Sequence, residues 1–121
     1  MYVRRVEQCD FRQLPGRRSA NPLADVDVGP LSIRFVRLTD GPRSPNLHPS
    51  CVEVIYVLEG RGTAWLNGET TRVSAGDLFV FPAGEPHATL PDRGTEMFVL
   101  CAFPVDDLAA NTVELEDEIE L

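Results

Sequence analysis

The sequence predicts an all-β fold. Short runs rich in β-branched and aromatic residues recur along the chain, each closed by glycine, proline, asparagine or aspartate. Residues 63–66 and 70–73 flank Asn67-Gly68. That dipeptide marks a type I′ hairpin, because both central positions need a positive φ. The best-supported helical segment is short, at residues 105–110.

Residues 1–30 read as an irregular arm, since Leu14-Pro15-Gly16 and Asn21-Pro22 break any helix and Gly29-Pro30 marks a turn. Its Arg12, Arg17 and Arg18 either meet acids of the body or of a partner subunit, or stand in solvent. From Leu31 the pattern changes. Leu31, Ile33 and Phe35 alternate with Ser32, Arg34 and Val36 as in a strand, which ends at Asp40-Gly41-Pro42. Residues 52–58 form the next strand and turn at Gly60-Arg61-Gly62. After the Asn67-Gly68 hairpin, Ala75-Gly76-Asp77 turns the chain into a short apolar strand at 78–81, which stops at Pro82. Residues 86–90 are the next strand, closed by Pro91-Asp92-Arg93-Gly94, and 96–103 the last clear one. Residues 105–121 are an acidic tail, whose part from 114 onward fits strand, helix or disorder. Many short strands with turns between them imply a sandwich or barrel, here a single domain with its body at 31–104.

A length of 121 residues suits one domain, and a hydrophobic fraction of 43% is ordinary for a globular chain. No apolar run approaches the roughly 18 residues of a membrane span. The charged first ten residues do not read as a secretory signal, so a cytoplasmic location is expected. Cys9, Cys51 and Cys101 are odd in number and widely spaced, which fits reduced thiols better than a disulfide framework. The net charge of −8 is uneven: seven of the 19 acids fall within 106–121, which has no arginine. The preceding residues hold 12 acids against 11 arginines, with no lysine anywhere. A body so nearly neutral offers no basic face for nucleic acid or for an anionic membrane.

The chain has only two histidines, and each closes a motif. Residues 45–60 read P-N-L-H-P-S-C-V-E-V-I-Y-V-L-E-G, and residues 76–87 read G-D-L-F-V-F-P-A-G-E-P-H. Asn46 and His48 have the i, i+2 spacing that puts both on one strand face, and Glu53 begins the strand that follows. A small barrel can aim alternate side chains of several strands into one cavity, a rigid way to converge imidazoles and a carboxylate. The double motif resembles the two signatures of the cupin superfamily, strictly over about 41–87 and in strand pattern to Phe103.

The resemblance implies a small single-domain cupin, a double-stranded β-helix or jelly-roll barrel. It also implies one divalent metal ion held by His48, Glu53 and His87. Asn46 stands where the family usually has its first histidine, and would offer a weak amide oxygen or hold a water beside the ligands. Two imidazoles and one carboxylate suit zinc or iron, with nickel and manganese also compatible. Cys51 shares the parity of Glu53, so it is either a soft thiolate ligand or, as buried cysteines mostly are, a small apolar packing residue. Parity puts Tyr56 opposite Glu53, on the outer face; Trp65 lines a pocket or lies outside; Phe79 and Phe81 share one face and read as core. Glu85, in the turn before His87, reads as a solvated loop residue that could reach the site mouth.

The activity implied by the resemblance is that of a metal-dependent enzyme acting on a small organic molecule in specialised metabolism. Cyclase, isomerase, lyase, dioxygenase and nitrogen–nitrogen bond-forming chemistry all occur among such proteins. The alternatives are a non-catalytic module that binds a sugar or metabolite, and a partner domain of a larger enzyme with the acidic tail as contact surface. Small cupins commonly pair through edge strands or N-terminal arms, so a homodimer is expected.

Overall fold

Asn67 and Gly68 have φ of 47° and 96° and close a hairpin between two six-residue strands, as their sequence requires. The structure, a computed structural model, describes residues 1–121. In chain order the strands are β1 (Arg12–Leu14), β2 (Arg17–Ala20), β3 (Ser32–Thr39), β4 (Asn46–Leu47), β5 (Glu53–Glu59), β6 (Arg61–Leu66), β7 (Glu69–Ser74), β8 (Leu78–Phe81), β9 (His87–Pro91), β10 (Glu96–Phe103) and β11 (Val113–Glu114). They form two antiparallel sheets, ordered β1-β2-β3-β10-β5-β8 and β11-β4-β9-β6-β7. Helix is confined to two 3₁₀ turns, Val6–Gln8 and Ala109–Asn111, so the segment expected to be helical at 105–110 is a single turn shifted towards its end. No helix is long and apolar enough to cross a membrane.

The arm is more regular than its sequence suggested. Pro15 and Gly16 break a helix, but they also make a hairpin turn: proline fixes its own φ and Gly16 takes a φ of 70°. Arg17 therefore returns opposite Leu14, and β2 pairs along β3 from Arg17↔Leu38 to Ala20↔Phe35. The tail is tied down as well. β11 pairs with β4, and Ile119 bridges to Arg43 through two backbone hydrogen bonds of 2.8 and 3.0 Å.

The core lies between the sheets. Ile55 and Val57 face inward from β5, opposite Cys101 and Val99 of β10, and all four are buried. Each aliphatic side chain so buried contributes roughly 1.5–3 kcal/mol. At Gly62 of β6 a Cβ would lie 2.1 Å from the carbonyl oxygen of Leu90 on the neighbouring strand β9, and 2.8 Å from Met97 Sδ of the facing sheet. The interior is tightly packed there, and neither Gly62 nor Met97 lines the cavity.

Candidate metal centre

Glu53 is the first residue of β5 and shares the inward face of Ile55 and Val57. It meets the two histidines inside the barrel. His48 follows β4, and His87 begins β9, where it pairs with Asn46 across the sheet. The Gly84 backbone N–H donates to the His48 carbonyl at 2.8 Å and so ties the second motif to the first. All three side chains are buried. Glu53 Oε1 lies 2.9 Å from His48 Nε2 and 3.2 Å from His87 Nε2. One ligand atom from each residue falls within 4.8 Å of the others.

The far side of each imidazole decides what these atoms can do. His48 Nδ1 lies 3.0 Å from the Asn111 carbonyl, and His87 Nδ1 lies 3.1 Å from the Glu85 carbonyl. A carbonyl only accepts, so each Nδ1 carries the proton and each Nε2 of a neutral ring presents a lone pair. The Glu53 carboxylate is also an acceptor. Three acceptor atoms converging without a proton between them suit a cation, and a backbone carbonyl behind each ring is the usual support of a metal-bound histidine. The residues present therefore fit a divalent ion. Aromatic packing holds the rings in place. Phe81 stacks on His87 with centroids 4.4 Å apart at 14°, and Phe103 meets His48 edge-on at 4.9 Å.

Burial alone would push the Glu53 carboxyl up. Where the facing Nε2 atoms of His48 and His87 carry protons, their hydrogen bonds and charge outweigh burial and hold the group at about 2, and a cation in place of those protons would act in the same direction. Cys101 lines the same cavity, and burial, helped by the Glu53 charge, pushes its thiol well up. It stays a protonated thiol rather than a thiolate ligand.

The cavity around the centre has a volume of about 630 Å³. Arm and tail build much of its wall, through Arg12, Leu14 and Arg17 on one side and Leu108, Thr112 and Glu114 on the other. Arg17 and Glu114 join the two with a 2.8 Å ion pair. Asn46 also lines the cavity, and its side-chain amide makes no hydrogen bond to the protein. Cys51 packs in the apolar core and is not part of the cavity wall, which favours the packing role weighed for it. Tyr56 is exposed on the outer face, as parity requires, and Trp65 is likewise not part of the wall. Phe79 and Phe81 are core, with Phe81 also the platform for His87. Glu85 serves the site through its carbonyl rather than its carboxylate.

A family model described as "Cupin domain" matches residues 35–103, more than half of the chain. The chain belongs to the cupin family. Among solved structures, a point-substituted variant of Streptomyces PAC13 with uridine matches with a TM-score of 0.81 at 17% identity, over 96% of this cupin and 92% of that chain. PAC13 is described as a nucleoside dehydratase. Ectoine synthase from P. lautus matches with a TM-score of 0.78 at 22% identity, over 98% and 93%. The polyketide cyclase RemF from Streptomyces resistomycificus matches at 0.74 and 23%, over 88% and 80%. At such identities these likenesses show a shared small-cupin fold. A search of curated protein sequences finds no match to this chain.

Arginine 43 is the site residue that sequence reasoning missed. A lone charge in the loop after Asp40-Gly41-Pro42 reads as solvated, yet Arg43 lines the cavity with its Nε buried and without a partner. Its Nη1 donates to the Thr89 carbonyl at 2.9 Å. Burial, then the positive charge of Arg17, push its guanidinium down to about 10, which leaves it charged at neutral pH. Arg34 faces the same space from β3, and burial pushes it down too.

Proposed function

We propose that this cupin is a metal-dependent enzyme acting on a small organic molecule, with one divalent ion held by His48, Glu53 and His87. The observation that carries the reading is the convergence of two Nε2 lone pairs on one carboxylate oxygen, with each Nδ1 engaged by a backbone carbonyl. Zinc or iron suits this ligand set best. When bound, the ion would supply Lewis-acid polarisation of a substrate carbonyl or hydroxyl. The chain's own residues bind and orient. Asn46, without a protein partner, offers its amide to substrate or to a water beside the ligands. Thr89 and Thr112 line the same space, and the aromatic wall of Phe81 and Phe103 keeps the imidazoles fixed. The chain has no lysine, so a lysine imine is not its chemistry. Dehydration, cyclisation and isomerisation of a carbonyl compound are the reactions that such a centre serves.

Calorimetric titration of metal-free protein with zinc tests the reading. One site per chain that disappears in Glu53→Ala supports it. Absence of saturable binding supports the alternative, a non-catalytic module that holds a metabolite in the same cavity.

We also place the protein in the cytoplasm as a homodimer. Its three cysteines are free, as a reducing compartment requires. The outer face of β5 and β8 exposes Tyr56, Leu58, Leu78 and Val80, an apolar patch beside the sheet edge that a second copy would cover.

A further inference from the structure

The cavity holds more positive charge than its own acids neutralise. Arg4 pairs with Asp25 and Arg17 with Glu114, but Arg34 and Arg43 have no acidic partner. Arg34 donates only to the carbonyl of its neighbour Ile33, at 2.8 Å. Arg43 donates only to the Thr89 carbonyl, and its Nε is buried and unsatisfied. Glu53 and Glu114 act on Arg43 only through their charge, with no carboxylate in ion-pair contact, and a guanidinium withdrawn from water without a direct partner costs stability. Such a cost is explained when a ligand supplies the missing charge.

Position adds to this. Arg43 is fixed to Thr89, two residues along β9 from His87, so the guanidinium and the ligand imidazole attach to the strand roughly 7 Å apart. Arg34 stands opposite Cys101 on β10, beside the inward face that carries Phe103 against His48. Both guanidiniums thus line the same cavity as the centre.

We propose that Arg43, assisted by Arg34, anchors a carboxylate of the substrate, so that this cupin acts on small organic acids. The inference rests on the metal-dependent reading for the reaction, though not for the anchor itself. A carboxylate is favoured over a phosphate by the donors present. Phosphate sites draw on helix N-termini and nests of free backbone amides, whereas the walls here are strands paired into sheets. What remains is the guanidinium fork, which takes two oxygens of either anion; with no free backbone amides for a phosphate's third oxygen, a planar two-oxygen carboxylate is the better match.

The test is an NMR titration of the full chain, metal-free and zinc-loaded, following the arginine Nε–Hε resonances. The probes are benzoate, its uncharged counterpart benzamide, and inorganic phosphate. Benzoate should shift the Arg43 and Arg34 resonances in both forms. Benzamide should not, and phosphate should bind roughly tenfold more weakly. Arg43→Gln should weaken benzoate by about tenfold or more while zinc affinity stays within about threefold. Should Arg43→Gln fail to fold, the wild-type resonances and Arg34→Gln still decide. Equal shifts with benzamide, tighter binding of phosphate, or benzoate binding that needs zinc and ignores both substitutions would overturn the anchor. Benzoate binding through Arg43 in a protein that takes no zinc would uphold the anchor and remove the metal reading.

Discussion

Asn46 on β4 lies directly opposite His87 on β9 in an antiparallel pair. The residue that departs from the cupin pattern is thus the cross-strand neighbour of a candidate ligand, and its free amide lines the cavity. A neutral amide is a weak donor beside imidazole, so Asn46→Ala should keep its zinc. Asn46→His should bind zinc as tightly or more tightly while losing activity, because it fills a position needed by water or substrate. Parallel zinc titrations of the two variants check this. Loss of zinc in a folded Asn46→Ala would make Asn46 a true ligand.

His87→Ala should lose the metal and stay folded. Removing a supporting partner of a ligand costs roughly 10–100-fold in affinity, and removing a ligand costs more. The stability loss should be about 1–3 kcal/mol, from the missing stack on Phe81. Circular dichroism with a zinc titration separates the effects: an unfolded variant would mean that the centre is structural.

Gly62→Ala should be among the most damaging single-methyl additions. Its Cβ would fall 2.1 Å from the Leu90 carbonyl oxygen, where β6 and β9 are hydrogen-bonded neighbours and cannot part cheaply. A loss of about 3 kcal/mol or more in denaturant unfolding is expected.

Sedimentation should give twice the 13.4 kDa of one chain. Glu at both Leu78 and Val80 should return the protein to monomers without touching the metal centre, since both side chains are on the outer face. A monomeric wild type would remove the dimer.

Much of the strand order was legible. Residues 78–81 and 96–103 are strands with the bounds expected, and Asn67-Gly68 turns where its backbone preference requires. The cluster of His48, Glu53 and His87 was legible for a chemical reason: only His, Glu and a few other residue types suit a metal, and here the histidines number two. What alternation did not reveal is which face is inside. On β3 the apolar Ile33 and Phe35 face outward, while Ser32, Arg34 and Val36 face the interior, because that interior is partly a polar cavity. Pro15-Gly16 was read as a break, though the same backbone constraints make a hairpin once β3 offers an edge. Arg43 owes its role wholly to tertiary placement: Gly16 packs over its side chain, with Cδ 3.5 Å from where a Cβ would be, and Ile119 bridges its backbone.

Elemental analysis of full-length protein, made without an affinity tag in cells supplied with zinc, iron, nickel and manganese, reads the centre formed by His48, Glu53 and His87 without any assumption about substrate. About one divalent ion per chain is expected in the wild type, and essentially none in Glu53→Ala. Wild-type protein that is folded and carries no metal from any of these cultures would contradict the centre.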